Sequence, residues 1–174
     1  LEVNRSKTKI LTNEDDYFRE GVSIIIPVGN QFFHTIGKHE WHKYLGKHLC
    51  FCCKHRADIE IQHRIAAAWA KFHQKSYIFK NKDLLIRKKL RLFDSCVAPS
   101  AMYGLDAMAM SSTALQKLGS VQRQMLRYIV GWERYENETW EETMRRMKRK
   151  VQNAICRNKI QIWPETVLRR KWHW

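Results

Sequence analysis

Residues 61–72 read IQHRIAAAWAKF, and this stretch decides the fold class. Its apolar side chains return every three or four residues, which places them on one face of an α-helix. This stripe consists of Ile61, Ile65, Ala68, Trp69 and Phe72. The helix is predicted to start near Asp58, because a carboxylate is favourable at the N-cap or in the first helical turn.

Three more segments after residue 72 have the helical period. The first is predicted to end at Pro99, the second to run from Ser111 or Ser112 to Gly131, and the third to start at 137–139. Their apolar stripes are Ile86, Leu90, Phe93 and Val97; Leu115, Leu118, Gln122, Met125, Leu126 and Ile129; and Trp140, Met144, Met147, Val151 and Ile155. We expect Trp69 and Trp140 in the core. Pro164 is expected to break the pattern later, before a short basic segment at 168–174.

The residues before the helices have strand character. The run 22–26 is rich in β-branched residues, and Pro27, Gly29 and Asn30 supply a turn before a return strand over 31–36. A short extended segment at 41–46 ends at Gly46. The predicted fold is therefore mainly α, a helical bundle preceded by a small β-hairpin appendage, and α+β overall.

Charge is distributed unevenly along the chain, whose formal net charge is +15. Residues 1–40 hold 5 Lys/Arg and 6 Asp/Glu, whereas residues 41–132 hold 16 and 5, and residues 141–174 hold 10 and 3. Such an excess on a folded domain favours a polyanion as partner. A solvated basic surface and an acidic protein partner are the alternatives.

Compartment and completeness are also expectations from the sequence. The number of cysteines is odd, at 5, and no secretory leader is recognisable, so we expect an intracellular protein, in the nucleus or cytoplasm, rather than a secreted one. No run approaches the roughly 18 apolar residues of a membrane span. Because the chain starts at Leu1 and stops at Trp174 in a basic aromatic run, we expect a fragment of a longer protein.

No catalytic or metal site is predicted from the residues. The tight acidic group 14–16 has no strand hairpin around it and is interpreted as a solvated turn. Neither a Gly-rich phosphate loop nor a Gly-x-Ser-x-Gly motif occurs. The cluster Cys50, Cys52, Cys53 and His55, with His48 nearby, is too compact for a zinc finger, and we interpret it as a loop or strand edge of part-buried residues.

Several short motifs follow one another along the chain. They are LEVN at 1–4 with SKTKIL at 6–11, Tyr44-Leu45-Gly46, the segments 59–72, 89–104 and 118–131, and RKWHW at 170–174. Their order resembles the reverse transcriptases of non-LTR (LINE-type) retrotransposons. The first motif resembles the Asn-x-x-Lys-Thr segment after the catalytic hairpin of that family, and Tyr44-Leu45-Gly46 the Tyr-Leu-Gly segment that ends the palm. Residues 59–72 resemble the first thumb helix, residues 89–104 the Lys-Leu…Pro…Tyr-Gly block, residues 118–131 the helix QRxxLRxIxG, and residues 170–174 the start of a Trp-x-Trp-Ala-Gly-His segment.

The resemblance implies a part of an RNA-directed DNA polymerase that copies RNA onto a DNA primer. Residues 1–57 would be the end of the palm with a β-hairpin and a primer-grip-like segment, residues 58–131 the helical thumb, and residues 132–174 a truncated basic helical segment. The metal-binding aspartates would precede Leu1, so this chain alone would be inactive and hold no cofactor, while the parent enzyme would use Mg²⁺. Its partners would be an RNA–DNA hybrid, or another nucleic acid, and the rest of the polymerase chain, with no membrane.

Lysines and arginines on the outward helix faces are the predicted contacts to the nucleic-acid backbone, with the Tyr-Leu-Gly segment seating the primer end. The predicted nucleic-acid-binding residues are Lys43, Tyr44, Gly46, Arg64, Arg87, Lys88, Arg91, Arg123 and Arg127. Two other readings stay open: a stand-alone basic helical module that binds nucleic acid or protein, and a non-functional retroelement relic.

Overall fold

A computed structural model describes residues 4, 8–10, 25–36, 40–50 and 53–171. The chain divides into two compact units, Leu1–Glu60 and Ile61–Trp174. The first contains two small antiparallel hairpins and the second is helical, so the predicted mainly α, α+β fold is confirmed. The three functional segments expected from the sequence stay a prediction.

The first unit is built on two tight β-hairpins. Strands β1 (Ile25–Val28) and β2 (Gln31–His34) pair antiparallel around a turn at 29–30, so the hairpin was predicted, but Pro27, which was assigned to the turn, lies in β1 opposite Phe32. Strands β3 (Trp41–Tyr44) and β4 (Lys47–Cys50) form the second hairpin, so the extended segment at 41–46 was predicted but its partner strand was missed. Leu45 and Gly46 both have positive φ, at 47° and 77°. Such two-residue turns match the twist of the flanking strands.

Helix α1 (Cys53–Gln74) begins five residues before Asp58, so the predicted start was wrong. The first unit ends at its residue Glu60, which is fully buried and accepts a hydrogen bond of 2.7 Å from the His48 backbone N–H on β4. A buried carboxylate needs such donors to offset its lost hydration.

The helical unit continues with α2 (Ser76–Lys80), α3 (Ile86–Leu92), a π turn (Phe93–Val97) and α4 (Ala98–Met102). The expected stop at Pro99 was wrong, because the helical path runs on to Met102. Pro99 lies in the first turn of α4, where its missing N–H needs no partner in the preceding turn. In the wider π turn before it, the Ala98 N–H donates a hydrogen bond to the Phe93 carbonyl.

Helices α5 (Ser112–Val130), α6 (Trp140–Asn158) and α7 (Trp163–Lys171) complete the unit. The predicted ends of α5 are confirmed: Ser111 caps its start and Gly131 follows it with φ 83°. Thr139 and Glu142 form a capping box that starts α6, as its position predicted. Helix α7 was missed, since Pro164 stands in its first turn rather than breaking the pattern.

The predicted stripes supply part of the core of the helical unit, and residues outside them, such as Phe79, Leu105 and Trp163, supply the rest. The fully buried members of the four stripes are Ile61, Ala68, Leu90, Phe93, Val97, Leu118, Met125, Leu126 and Met147. Trp69 is half-buried against this core, but Trp140 is 59% exposed, so its assignment to the core was wrong. Trp140 is the first residue of α6, and its ring lies beside Trp132 at 5.7 Å rather than over the bundle. Ile86 is also exposed, as the first residue of α3.

Buried polar contacts fasten the segment before α7 to the rest of the bundle. Gln122 Nε2 donates to the Gln161 carbonyl at 2.6 Å, and Trp163 N–H donates to Gln122 Oε1 at 3.0 Å. The Trp163 ring is fully buried and stacks on Phe93 at 5.5 Å. Burial raises the pKa of Asp94, and a hydrogen bond from the Gln161 backbone partly opposes this rise. Gln122 thus acts as a remote cap for α7.

Candidate nucleic-acid interface

A groove of about 390 Å³ runs between α5 and α6. Met144, Val151 and Ile155 form its apolar part. Four basic side chains line the same groove, and we call them the groove cations: Arg123, Arg127, Arg145 and Lys148. A row of cations over an apolar floor is suited to a chain with charged phosphates and less polar sugars.

The spacing of the groove cations follows from two amphipathic helices that pack together. Arg123 and Arg127 are four residues apart on α5, and Arg145 and Lys148 are three apart on α6. Residues at these spacings lie one above the other on a helix face. Each pair borders its helix's buried stripe, Met125–Leu126 on α5 and Met147–Val151 on α6. Packing the two stripes together therefore brings the two pairs to the same groove.

The groove cations are not neutralised within the part of the chain that the structure describes. None of them forms an ion pair with a described carboxylate, and Arg123 donates only to the Ser120 hydroxyl, at 3.1 Å. Glu142 is the acid that Arg145 influences. Its pKa is lowered first by hydrogen bonds from the Thr139 backbone and hydroxyl and only weakly by Arg145. The positive charge of the groove is thus available to an external anion.

Arg146 differs from its neighbours on α6 because it is used inside the protein. Its Nε and Nη2 donate to the two Glu138 carboxylate oxygens at 2.7 Å each, and Nη2 also reaches the Glu133 carbonyl at 2.6 Å. The guanidinium lies 4.1 Å from the centre of the Tyr135 ring. The Arg146 hydrogen bonds lower the pKa of Glu138, and Glu138 in turn raises the pKa of Arg146. This fork holds the connection 131–139 before α6.

The structure brings together some of the predicted binding residues and separates others. Arg123 and Arg127 lie in the groove, whereas Arg87, Lys88 and Arg91 are exposed on α3 and do not line it. Arg64 is only 6% exposed, and its guanidinium lies 5.0 Å from the centre of the Tyr103 ring.

The remaining predicted residues belong to the second hairpin of the first unit. Lys43 and Tyr44 are exposed on β3, and Gly46 supplies the turn into β4. Their role in seating a primer, like the phosphate contacts of Arg64 and the α3 cations, stays a prediction.

The groove cations Arg145 and Lys148 were not among the predicted binding residues. Neither belongs to the apolar stripe of α6, so the helical period alone places both on its exposed side, with no relation to α5. A signal was present, because both residues directly flank the apolar positions Met144 and Met147. What the sequence lacked was the pairing of α6 with α5, a contact between residues far apart along the chain.

In the described ranges, no group of three or more His, Cys, Asp and Glu side chains is placed to hold a metal ion. The acidic group 14–16 lies outside the described residues, as does Cys52, so the interpretation of the acidic group stays a prediction. Cys50 lies on β4, but Cys53 and His55 lie in the first turn of α1, so their assignment to a loop or strand edge was wrong. No described helix combines the length and apolar character needed to cross a membrane.

Comparison with known proteins adds no family to this description. The chain matches no protein-family model, no curated protein and no solved structure.

Proposed function

We propose that this chain binds a primer–template RNA–DNA hybrid as the thumb-containing part of a retrotransposon RNA-directed DNA polymerase. The groove between α5 and α6, with Arg123, Arg127, Arg145 and Lys148 along it, is the observation that carries the proposal. The resemblance of residues 118–131 to the QRxxLRxIxG helix supports the same assignment, because that segment supplies two of the groove cations. The excess of positive charge beyond residue 40 agrees with a polyanionic partner.

The proposed mode of binding is contact with the sugar–phosphate backbone. Guanidinium groups bind phosphates through paired N–H donors, and such contacts position a protein without reading the base sequence. The apolar floor of Met144, Val151 and Ile155 suits the less polar sugar edges. Binding of this kind is expected to be insensitive to base sequence and to weaken steeply with salt, because each neutralised phosphate releases counterions.

The proposal gives this chain a binding role and no chemical step. A polymerase of the proposed kind uses Mg²⁺, held by clustered carboxylates. The described residues offer no such cluster, so they do not fit the ion and no step is assigned through it. Contact with the hybrid would take place inside the cell, in the nucleus or cytoplasm, where element RNA and target DNA meet.

The test compares two double variants that remove equal charge from the same helix. Arg145→Ala/Lys148→Ala changes two groove cations, whereas Lys150→Ala/Arg157→Ala changes exposed residues on another face of α6 that do not line the groove. Affinity for a blunt RNA–DNA hybrid is measured by fluorescence anisotropy over a series of salt concentrations. The groove variant is expected to lower the slope of log affinity against log salt by about one unit per lost contact.

The control variant reports the effect of net charge alone and is expected to change the slope much less. Equal losses in the two variants would show that the groove is not the binding surface. An unchanged slope in both would remove the support for hybrid binding by α6.

A stand-alone basic module for nucleic acid is the second candidate function. It is favoured by one observation: residues 61–174 form a compact unit that carries the entire groove. The two functions differ in ligand preference, since a thumb should bind a hybrid duplex more tightly than heparin of equal charge. If heparin displaces the hybrid from the protein as readily as it displaces single-stranded DNA, the second function is favoured.

A further inference from the structure

We propose that an aromatic pocket on the other flank of α5 binds an unpaired nucleobase of the nucleic acid held in the groove. This inference rests on the proposed function. The pocket has a volume of about 550 Å³, within the range of about 300–1,000 Å³ usual for small-ligand sites. It is formed by the end of α1, by α2 and by Tyr128 of α5.

The walls of the pocket are aromatic rings in several orientations. Phe72 and Phe79 are buried and stack on each other at 4.8 Å, forming its base. Trp69 stacks on His73 at 5.4 Å and meets the edge of Tyr128 at 6.3 Å. Tyr128 lines the pocket and is 55% exposed, so about half of its surface is accessible to a ligand. Flat π surfaces of this kind stack with any base, whatever its sequence identity.

Charge decides which flat ligand suits the pocket. Lys80 and His73 stand at its rim, and none of its lining residues carries a carboxylate. A ligand that combines a flat ring with negative charge therefore fits better than a neutral aromatic side chain. A nucleotide has both features in one unit, with the base for the rings and the phosphate for the rim.

The position of Tyr128 connects the pocket with the groove. Tyr128 directly follows Arg127, a groove cation, and consecutive Cα atoms are about 3.8 Å apart. Successive helical residues point about 100° apart, so the two side chains lie on opposite flanks of one exposed face. Exposed Lys117, Ser120 and Gln124 occupy that face between them. A strand bound along the groove can thus turn an unpaired base across α5 into the pocket.

The test uses hybrids with a short single-stranded overhang, either with bases or abasic, and a blunt hybrid as reference. Wild-type protein is expected to bind the base-bearing overhang about tenfold more tightly than the abasic one, as is typical for a single stacked base. Tyr128→Ala should bring this ratio close to one and leave affinity for the blunt hybrid unchanged. Tyr77→Ala is the matched control, because Tyr77 is 69% exposed on α2 and does not line the pocket.

A spectroscopic measurement separates stacking from a general loss of fold. 2-Aminopurine in the overhang should lose fluorescence on binding the wild type and the Tyr77→Ala variant, and keep it with Tyr128→Ala. Equal affinity of wild type for the base-bearing and abasic overhangs overturns the inference while leaving hybrid binding in place. If the blunt hybrid also fails to bind, the proposed function falls together with the inference.

Discussion

Gln122 offers a direct test of how α5 packs against the segment before α7. Its one buried side chain forms hydrogen bonds with two backbone groups of that distant segment. Gln122→Leu preserves approximate size and helix propensity but removes both hydrogen bonds to residues 161–163. Trp163 N–H is buried, and leaving it unpaired costs about 1–3 kcal/mol. The exposed residue Gln161 can exchange its lost bond for water, at a smaller cost. The expected decrease in the free energy of unfolding is therefore about 1–4 kcal/mol.

Urea unfolding followed by circular dichroism at 222 nm measures this difference, and Gln124→Leu is the matched control. Gln124 is exposed on the same helix two residues away, so its replacement is expected to change stability by less than about 0.5 kcal/mol. Near-ultraviolet circular dichroism should also lose intensity in Gln122→Leu, because Trp163 no longer stacks firmly on Phe93. A Gln122→Leu variant as stable as the Gln124→Leu variant would refute the role of a remote cap.

Two further predictions concern the connection between α5 and α6. The pKa of Glu138 is lowered in the folded protein, so its carboxylate stabilises the fold fully at pH values above 4.5, the usual pKa of this side chain. This stabilisation is lost as the pH falls through the lower pKa of the folded state. Arg146→Leu should therefore flatten the acid side of the melting-temperature profile, and a profile parallel to the wild type would contradict the fork. Gly131→Ala is expected to lower the free energy of unfolding, measured in urea, by about 1–2 kcal/mol, because φ at this position is 83°. The cost comes from the backbone conformation alone, since nothing lies within 4 Å of an added Cβ. A stabilised Gly131→Ala variant would contradict the backbone geometry.

Helix existence and the core stripes could be predicted because periodicity is a local property. Most members of the α1, α5 and α6 stripes are buried, and the capping residues Ser111 and Thr139 mark the starts of α5 and α6. The errors occur where a local signal has two meanings. A proline ends a helix from inside but fits its first turn, which is why Pro99 and Pro164 were misread.

The candidate site was predictable only in part, because it depends on which helices become neighbours. Arg123 and Arg127 were predicted from their motif, whereas Arg145 and Lys148 belong with them only once α6 packs on α5. Gln122 gives the same lesson for polar residues. Its position within an apolar stripe indicates burial, but its partners lie about 40 residues away in sequence and follow from the tertiary fold.

Crosslinking from the phosphates can locate the nucleic-acid backbone, which we propose lies in the groove between α5 and α6. A hybrid with photoreactive groups on its phosphates would be crosslinked to the chain, and the modified peptides mapped by mass spectrometry. We expect crosslinks to concentrate on the four groove cations, Arg123, Arg127, Arg145 and Lys148. Crosslinks spread over all exposed basic residues in proportion to their accessibility, including Lys150 and Arg157 on the same helix, would show that the backbone does not lie in the groove.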